Sequence, residues 1–274
     1  MTNQQLFSSL QLIDTPLTAT DKLAAFGLTN ALLDVAATQN TAILHFWTLP
    51  PTLILGLKDR HLPALTAALG DVASQGYDYF IRNSGGLAVV SDGGILNVSL
   101  FIPQLTDDHL SVDDGYALMK RVMQQTFPSL TIENYEITHS YCPGDFDLSV
   151  DGKKIAGISQ RRSPSALVVM AYLSVSGDQQ FRGKLVKQFY ETGLNDQPNT
   201  WGFPDVWPES MINVADALKQ PLTLDDVKGA IRNTFEQSGI AIDTTSLTQT
   251  MQTPDFQALY AKELQKMTKR QIGL

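Results

Sequence analysis

The spacing of hydrophobic and polar residues predicts a chain that alternates between helices and short strands. Apolar residues recur at roughly three- to four-residue intervals in three segments, which is typical of amphipathic helices. These segments are residues 21–39, 61–75 and 113–127, and the chain from residue 179 onward is also predicted to be mainly helical. Alternating or continuous apolar runs, typical of β-strands, cover residues 43–47, 53–57, 79–82, 87–91, 95–102, 131–138 and 166–174.

The order of these elements predicts an α+β fold, because strands occur in clusters with helices between and after them. We expect a mixed β-sheet core flanked by helices. The sequence contains no internal repeat and no flexible linker, so we predict a single domain over residues 1–274. Its core spans about residues 20–215, and a helical C-terminal segment at about residues 221–274 packs on that core.

Composition and charge narrow the class of protein. The 274 residues are 43% hydrophobic, as in globular proteins, and the net charge of −8 argues against nucleic acid as a partner. No apolar run reaches the roughly 20 residues that span a bilayer, and the N-terminal residues lack the features of a secretory signal. The single cysteine, Cys142, excludes an internal disulfide. We therefore expect a cytoplasmic protein without a membrane partner.

The first segment whose residues could bind a ligand or take part in catalysis is Arg82-Asn83-Ser84-Gly85-Gly86. Paired glycines allow backbone N–H groups to approach a ligand closely, and Arg82 and Ser84 add a cation and a hydroxyl group. An ordinary turn between strands is the alternative interpretation. In the following strand, Asn97 and Ser99 lie on the same face because side chains alternate along a strand.

The second segment is a predicted β-hairpin over residues 146–159. Asp151-Gly152 between two alternating runs is a strong signal for a two-residue turn. That turn places position 149 opposite 154 and position 147 opposite 156. Asp147 and Lys154 then become diagonal neighbours on a polar face, within reach of each other.

Cys142 precedes this hairpin and is a candidate nucleophile. A lone cysteine is usually a small buried hydrophobic residue, but this one lies in a polar, turn-forming stretch before Pro143-Gly144. A thiolate nucleophile needs a nearby cation, and Lys154 is a better candidate partner than His139 if the turn folds back over the hairpin. The four histidines and the cysteine show no metal-ligand spacing, and there is no phosphate-binding or dinucleotide motif.

These two segments together resemble the biotin/lipoate protein ligase superfamily, whose members attach acyl groups to carrier-protein lysines. The first resembles its glycine-rich motif, and Gly152-Lys153-Lys154-Ile155-Ala156-Gly157 resembles its second motif, in which the lysine is essential. The resemblance implies the catalytic-domain fold of that superfamily, with Cys142 and Lys154 catalytic. It implies a set of substrate-binding residues: Arg82, Ser84, Gly85, Gly86, Asn97, Asp147 and Gly157.

Residues 140–149 and 157–162 resemble the octanoyl amidotransferase branch of the superfamily. ATP-dependent ligases lack the cysteine and usually carry a second arginine where Asn83 follows Arg82 here. The resemblance implies transfer of an octanoyl group, through a Cys142 thioester and without a cofactor. The donor is octanoylated glycine cleavage H protein, and the acceptors are lipoyl domains of 2-oxoacid dehydrogenase complexes. Lys154 is expected to stabilise the thiolate and relay a proton, and backbone N–H groups near Gly85-Gly86 to hold the oxyanion.

Two alternatives stay open at this point. One is an ATP-dependent lipoate or octanoate ligase in which Cys142 is incidental, and the other is a catalytically silent protein that binds lipoyl domains. The acidic net charge disfavours binding of acidic carrier proteins, because like charges repel each other. A local basic patch, for which Lys153, Arg161 and Arg162 are candidates, would have to offset it.

Overall fold

The computed structural model describes residues 6–104 and 109–273. Strands and helices follow one another in the order β1 Ser9–Pro16, α1 Ala24–Gln39, β2 Ala42–Thr48, β3 Thr52–Leu55, α2 Leu65–Ser74, β4 Asp78–Ile81, β5 Val89–Ser91, β6 Ile95–Pro103, α3 Val112–Thr126, β7 Glu133–Asn134, β8 Leu148–Val150, β9 Lys153–Ser163, β10 Ala166–Ser174, α4 Gln179–Leu194, α5 Val214–Leu218, α6 Leu224–Gln237, β11 Ala241–Asp243, α7 Ser246–Met251 and α8 Pro254–Arg270.

Two sheets organise these elements. In the described part of the chain, the large sheet has the strand order β11-β1-β2-β6-β10-β9-β8-β7 and the small sheet the order β4-β3-β5. Parallel pairs (β1 with β2, β3 with β4) and antiparallel pairs (β6 with β10, β8 with β9) occur together. This mixed sheet with flanking helices confirms the predicted α+β class.

The hydrophobic core lies on both faces of the large sheet. Alternate residues of β2 and β6 pack against α3 and α6 on one face, whereas Ile43 and Phe101 point to the other face and pack with α1, α7 and α8. The small sheet forms a further cluster with α2 and α4. This last cluster includes residues next to Cys142, so the candidate site lies where the small sheet meets the large one.

Two predicted elements differ from the structure, and two strands of the structure were not predicted. Residues 131–138 were expected to form one strand, but only Glu133–Asn134 pair with β8, because the chain then leaves the sheet as a turn. The helix expected from residue 61 begins at Leu65, after a 3-10 helix at Leu57–His61. Strands β1 and β11 were not predicted, although Leu10 and Leu12 of β1 alternate into the core.

The hairpin has the predicted turn and a partly different register. Ser149 pairs with Lys154 as expected, but a β-bulge shifts Leu148 opposite Ala156. Asp147 therefore does not lie opposite Ala156. A bulge inserts one unpaired residue and increases the local twist, which moves the chain before β8 away from the regular ladder and toward the turn that carries Cys142.

Within the described ranges, no helix combines the length and apolar character needed to cross a membrane.

Candidate active site

Cys142 lies in the turn between β7 and β8, in a backbone conformation that is unusual for a residue with a side chain. Its φ of 46° is in the left-handed region, where non-glycine residues are uncommon and occur in turns and at functional sites. The side chain is half-buried and packs beside the small-sheet cluster. The turn thus directs the thiol toward the junction of the two sheets.

Lys154 is buried behind this turn, with 4% of its surface exposed. Its Nζ donates to the carbonyl oxygens of Tyr141 at 3.0 Å and Cys142 at 2.8 Å, and to Ser140 Oγ at 3.2 Å. It also forms an ion pair with Asp147 Oδ1 at 3.0 Å. An ammonium group has three N–H donors, so these acceptors occupy its full capacity. Lys154 therefore anchors the backbone of the cysteine turn to β9.

The expected contact between Asp147 and Lys154 is present and buried. Burial raises the pKa of Asp147, and the Lys154 ammonium acts in the opposite direction by favouring the carboxylate. Gly157 lies beside the pair, where a Cβ atom would be 3.4 Å from Lys154 Cε and 3.9 Å from Asp147 Oδ1. The absence of a side chain at Gly157 keeps the half-buried surface next to this pair open.

Arg82 folds over the glycine-rich loop and is 8% exposed. Its Nε donates to Ser84 Oγ at 3.0 Å, its Nη2 to the Gly85 carbonyl at 2.8 Å, and its Nη1 to the Ile54 carbonyl at 3.3 Å. Gly86 has a φ of 86°, and a Cβ atom there would be 2.7 Å from Arg82 Nη2. The loop therefore needs glycine at position 86 both for its backbone conformation and for space.

Two N–H groups of this loop region face the sulfur of Cys142. The backbone N–H of Leu87 donates to Sγ at 3.4 Å, and Nη2 of Arg82 lies 3.9 Å from Sγ. These two contacts reach Sγ from the glycine-rich loop, whereas Lys154 contacts the carbonyl oxygen of Cys142. A direct role of Lys154 at the thiol stays a prediction. The backbone N–H at the sulfur belongs to Leu87, the residue after the predicted glycine pair.

A half-buried face of the large sheet extends from this point. Gly157 of β9 lies opposite Tyr172 of β10, which lies opposite Asn97 of β6. Asn97 Nδ2 donates to Ser91 Oγ at 3.3 Å, so Asn97 joins β6 to β5 and lies two strands away from Gly157. The next row of this face includes Met170, which is also half-buried. The predicted substrate-binding residues thus form two groups: Arg82, Ser84, Gly85, Gly86, Asp147 and Gly157 surround the cysteine turn, whereas Asn97 lies farther along the sheet.

A buried network that supports the glycine-rich loop was not predicted. The Ala88 N–H donates to the Tyr190 hydroxyl at 2.9 Å, and that hydroxyl donates to Asp59 Oδ1 at 2.9 Å. Asp59 also accepts from the Gly56 N–H at 2.8 Å, and burial raises its pKa to about 6. An isolated Asp in a polar stretch and a Tyr in a helix carry no sequence signal that links them to this loop.

His139, the other candidate partner of the thiol, makes its contacts elsewhere. Its ring stacks on Trp207 with centroids 3.6 Å apart, and its Nδ1 bonds to the Asp205 carbonyl oxygen at 3.0 Å. Lys154 and Arg82 are therefore the cations at the cysteine turn. Among the residues that the structure describes, no group of three or more His, Cys, Asp or Glu side chains is arranged to hold a metal ion.

The sequence matches the Lipoyl protein ligase A/B catalytic domain family over residues 21–236. An octanoyl-[GcvH]:protein N-octanoyltransferase from an Exiguobacterium species is 37% identical over 245 residues, which cover 88% of this chain and 84% of that protein. A lipoyl-[GcvH]:protein N-lipoyltransferase from Listeria monocytogenes is 34% identical over 249 residues, or 90% of this chain and 88% of that protein.

Solved structures show the same fold at lower sequence identity. A putative lipoate protein ligase from T. acidophilum aligns with a TM-score of 0.71 and 18% identity, covering 98% of this chain and 100% of that one. A lipoate-protein ligase A bound with ATP aligns with a TM-score of 0.69 and 19% identity, covering 95% of each chain. The sequence-based assignment of fold and superfamily is confirmed.

Proposed function

The chain belongs to the Lipoyl protein ligase A/B catalytic domain family, and from this premise we propose that it is an amidotransferase of protein lipoylation. Its donor is the octanoyl-lysine of glycine cleavage H protein, and its acceptors are the lipoyl-domain lysines of 2-oxoacid dehydrogenase acyltransferase subunits. The observation that carries the proposal is the half-buried Cys142 thiol, with Leu87 N–H at 3.4 Å and Arg82 Nη2 at 3.9 Å from Sγ. A thiol nucleophile also fits the reducing cytoplasm expected from the sequence.

In the first half-reaction, Cys142 Sγ attacks the carbonyl carbon of the donor amide. The carbonyl oxygen becomes an oxyanion, and we infer that the N–H groups of Leu87 and Arg82, which lie beside Sγ, stabilise it. Collapse breaks the C–N bond and forms the octanoyl thioester. The departing lysine amine gains one proton, and the thiol loses one, so the half-reaction balances.

In the second half-reaction, the acceptor lysine amine attacks the Cys142 thioester and regenerates the thiol. One amide bond breaks and one forms over the whole cycle, so no nucleotide is needed to drive it. Lys154 acts first as a positioning residue, because its ammonium holds the carbonyls of Tyr141 and Cys142. Its proposed part in proton relay depends on a transient exchange of these bonds, since all its N–H donors are engaged.

The acyl chain requires an apolar path away from the sulfur. We assign it to the half-buried sheet face that starts at Gly157 and continues past Tyr172 toward Met170. Each buried methylene contributes about 0.8 kcal/mol to binding, so a chain of octanoyl length supplies substantial affinity without a charged headgroup.

An ATP-dependent ligase is the alternative with the same fold. Those ligases usually carry a second arginine at the position of Asn83, whereas here the Asn83 carbonyl and side-chain oxygen accept from Arg161 Nη2 at 3.2 and 2.7 Å. Asn83 thus serves in this chain as an acceptor for Arg161. The second arginine that ligases usually carry at this position is replaced by a neutral side chain.

Transfer in the absence of nucleotide tests the proposal. The protein is incubated with octanoylated H protein and an apo lipoyl domain, and the lipoyl domain is followed by mass spectrometry. We expect it to gain one octanoyl group with the wild type and none with Cys142→Ala. No transfer without nucleotide, together with ATP-dependent attachment of free octanoate, would instead establish the ligase. The Listeria relative is named as a lipoyltransferase. A parallel reaction with lipoylated H protein therefore tests whether this protein also transfers lipoyl groups.

A further inference from the structure

A recess of about 380 Å³ at the C-terminal end of α8 is lined mainly by basic side chains. Its lining residues are Leu57, Arg60, Lys266, Lys269, Arg270 and Ile272. We refer to Arg60, Lys266, Lys269 and Arg270 as the basic recess. The chain as a whole has a net charge of −8, so this concentration of cations departs from the average surface.

Most of this positive charge is not neutralised within the protein. Lys266 pairs with Glu263, but within residues 6–104 and 109–273 no ion pair involves Arg60, Lys269 or Arg270. The guanidinium of Arg60 donates to the main-chain carbonyls of Arg270 and Ile272, which keeps its charge at the recess. Basic residues at the last turn of a helix interact favourably with the helix dipole, and Arg60, Lys269 and Arg270 all lie at the C-terminal end of α8. Their side chains also line the recess.

The basic recess borders the glycine-rich loop of the candidate active site. The side-chain amide of Gln271 bonds to both the N–H and the carbonyl of Ile81 at 2.9 Å, immediately before Arg82. Leu57, which lines the recess, donates its N–H to the Ser84 carbonyl at 3.4 Å. A protein bound at the recess therefore lies next to the loop that faces Cys142.

The sequence suggested Lys153, Arg161 and Arg162 as a docking patch, and of these Lys153 and Arg162 are exposed whereas Arg161 is half-buried. Arg161 is directed inward to Asn83, and Arg162 donates to the main-chain carbonyls of Leu110 and Ser111. Arg161 is therefore committed to an internal contact, whereas Lys153 and Arg162 stay at the surface. The basic recess differs from them in that four basic side chains line one depression next to the glycine-rich loop.

We propose that the basic recess docks an acidic face of the carrier domain and brings its modified lysine to Cys142. The inference rests on the proposed function, and it names the surface and the chemistry of its partner, a protein face rich in carboxylates. Complementary charge accelerates association and fixes orientation, and it is weakened by salt.

Charge substitution on α8 tests this docking site. The variant Lys266→Gln/Lys269→Glu changes two exposed side chains outside the cysteine turn. Its control is Lys184→Gln/Lys219→Glu, which makes the same charge change at exposed positions on α4 and after α5. Binding of fluorescently labelled octanoylated H protein is measured by anisotropy across a salt series, and acylation of Cys142 by p-nitrophenyl octanoate reports the active site alone.

We expect the recess variant to weaken binding at least about tenfold at low salt and to flatten the salt dependence. The control should bind like the wild type, and all three proteins should react equally with p-nitrophenyl octanoate. Unchanged binding, equal weakening in the control, or a slower reaction with the small ester would each overturn the inference. Binding is measured directly and does not depend on transfer. A wild type that binds H protein but does not transfer octanoyl would contradict the proposed function, and the binding data would still test the docking site.

Discussion

Replacing Gly86 with alanine tests how the glycine-rich loop activates the cysteine. Gly86 combines a φ of 86° with close contact to the site, since an added Cβ would lie 2.7 Å from Arg82 Nη2 and 3.4 Å from Cys142 Sγ. The arginine side chain is flexible and can retreat, so the fold should survive. The left-handed conformation costs an alanine about 1–2 kcal/mol, a loss that a folded domain tolerates.

The chemical effect should be larger than the effect on stability. Moving the guanidinium away from Sγ and shifting the neighbouring Leu87 N–H removes donors aimed at the reacting atoms. Loss of one such donor typically reduces kcat by about 10²–10³-fold, and 10²-fold corresponds to about 2.7 kcal/mol of transition-state stabilisation. We therefore expect Gly86→Ala to lose at least about 10²-fold in octanoyl transfer.

Gly85→Ala is the matched control, because a Cβ at Gly85 meets no atom within 4 Å. Transfer rates under saturating H protein are compared with urea unfolding of both variants, so that a rate loss is separated from unfolding. Gly85→Ala should remain within a few-fold of the wild type. A Gly86→Ala rate within twofold of the Gly85→Ala rate would refute the argument and reduce the loop to an ordinary turn.

Further predictions concern the buried charges. Lys154→Ala leaves Asp147 buried without its cation, so urea unfolding should show a loss of roughly 3–5 kcal/mol; Lys154→Ala/Asp147→Ala should regain much of this stability but no transfer activity. Lys154→Arg should lose about 10²-fold in transfer rate, because a planar guanidinium cannot replace an ammonium among these acceptors, and near-normal transfer would disprove this. Burial raises the pKa of Asp59 from 3.8 to about 6, so the folded state holds this proton more tightly than the unfolded chain. The resulting stabilisation is complete below the unfolded pKa and is lost as pH rises through about 6. Relative to Asp59→Asn, the wild type should therefore lose up to about 3 kcal/mol of unfolding free energy across that range, and parallel pH profiles would contradict it.

Local sequence signals predicted the hairpin well. Asp151 and Gly152 both adopt positive φ, of 50° and 73°, as a two-residue hairpin turn requires. The turn alone fixes the pairing of Ser149 with Lys154. The bulge beyond Ser149 could not be predicted, because it depends on where Asp147 meets Lys154 and on how the cysteine turn packs.

Long-range pairing explains the rest of the differences. Cys142 and Lys154 are close in sequence, and their proximity was expected on the condition that the Pro143-Gly144 turn folds back over the hairpin. Leu87 and Cys142 are 55 positions apart, so the group that faces the sulfur depends on how the small sheet packs against the large one. Likewise, β1 pairs with β11 at residues 241–243, and a three-residue edge strand lacks the alternation that would reveal it.

The acyl-enzyme is the most direct test of the central claim that Cys142 carries the octanoyl group. The protein is mixed with octanoylated H protein in the absence of nucleotide and acceptor, quenched in acid, and analysed by intact-mass and peptide mass spectrometry. We predict one added octanoyl group on the peptide containing Cys142, released by hydroxylamine and transferred when an apo lipoyl domain is added before the quench. Undiminished transfer by Cys142→Ala, or transfer by the wild type with no adduct on Cys142 at any time before the acceptor is added, would contradict the thioester mechanism.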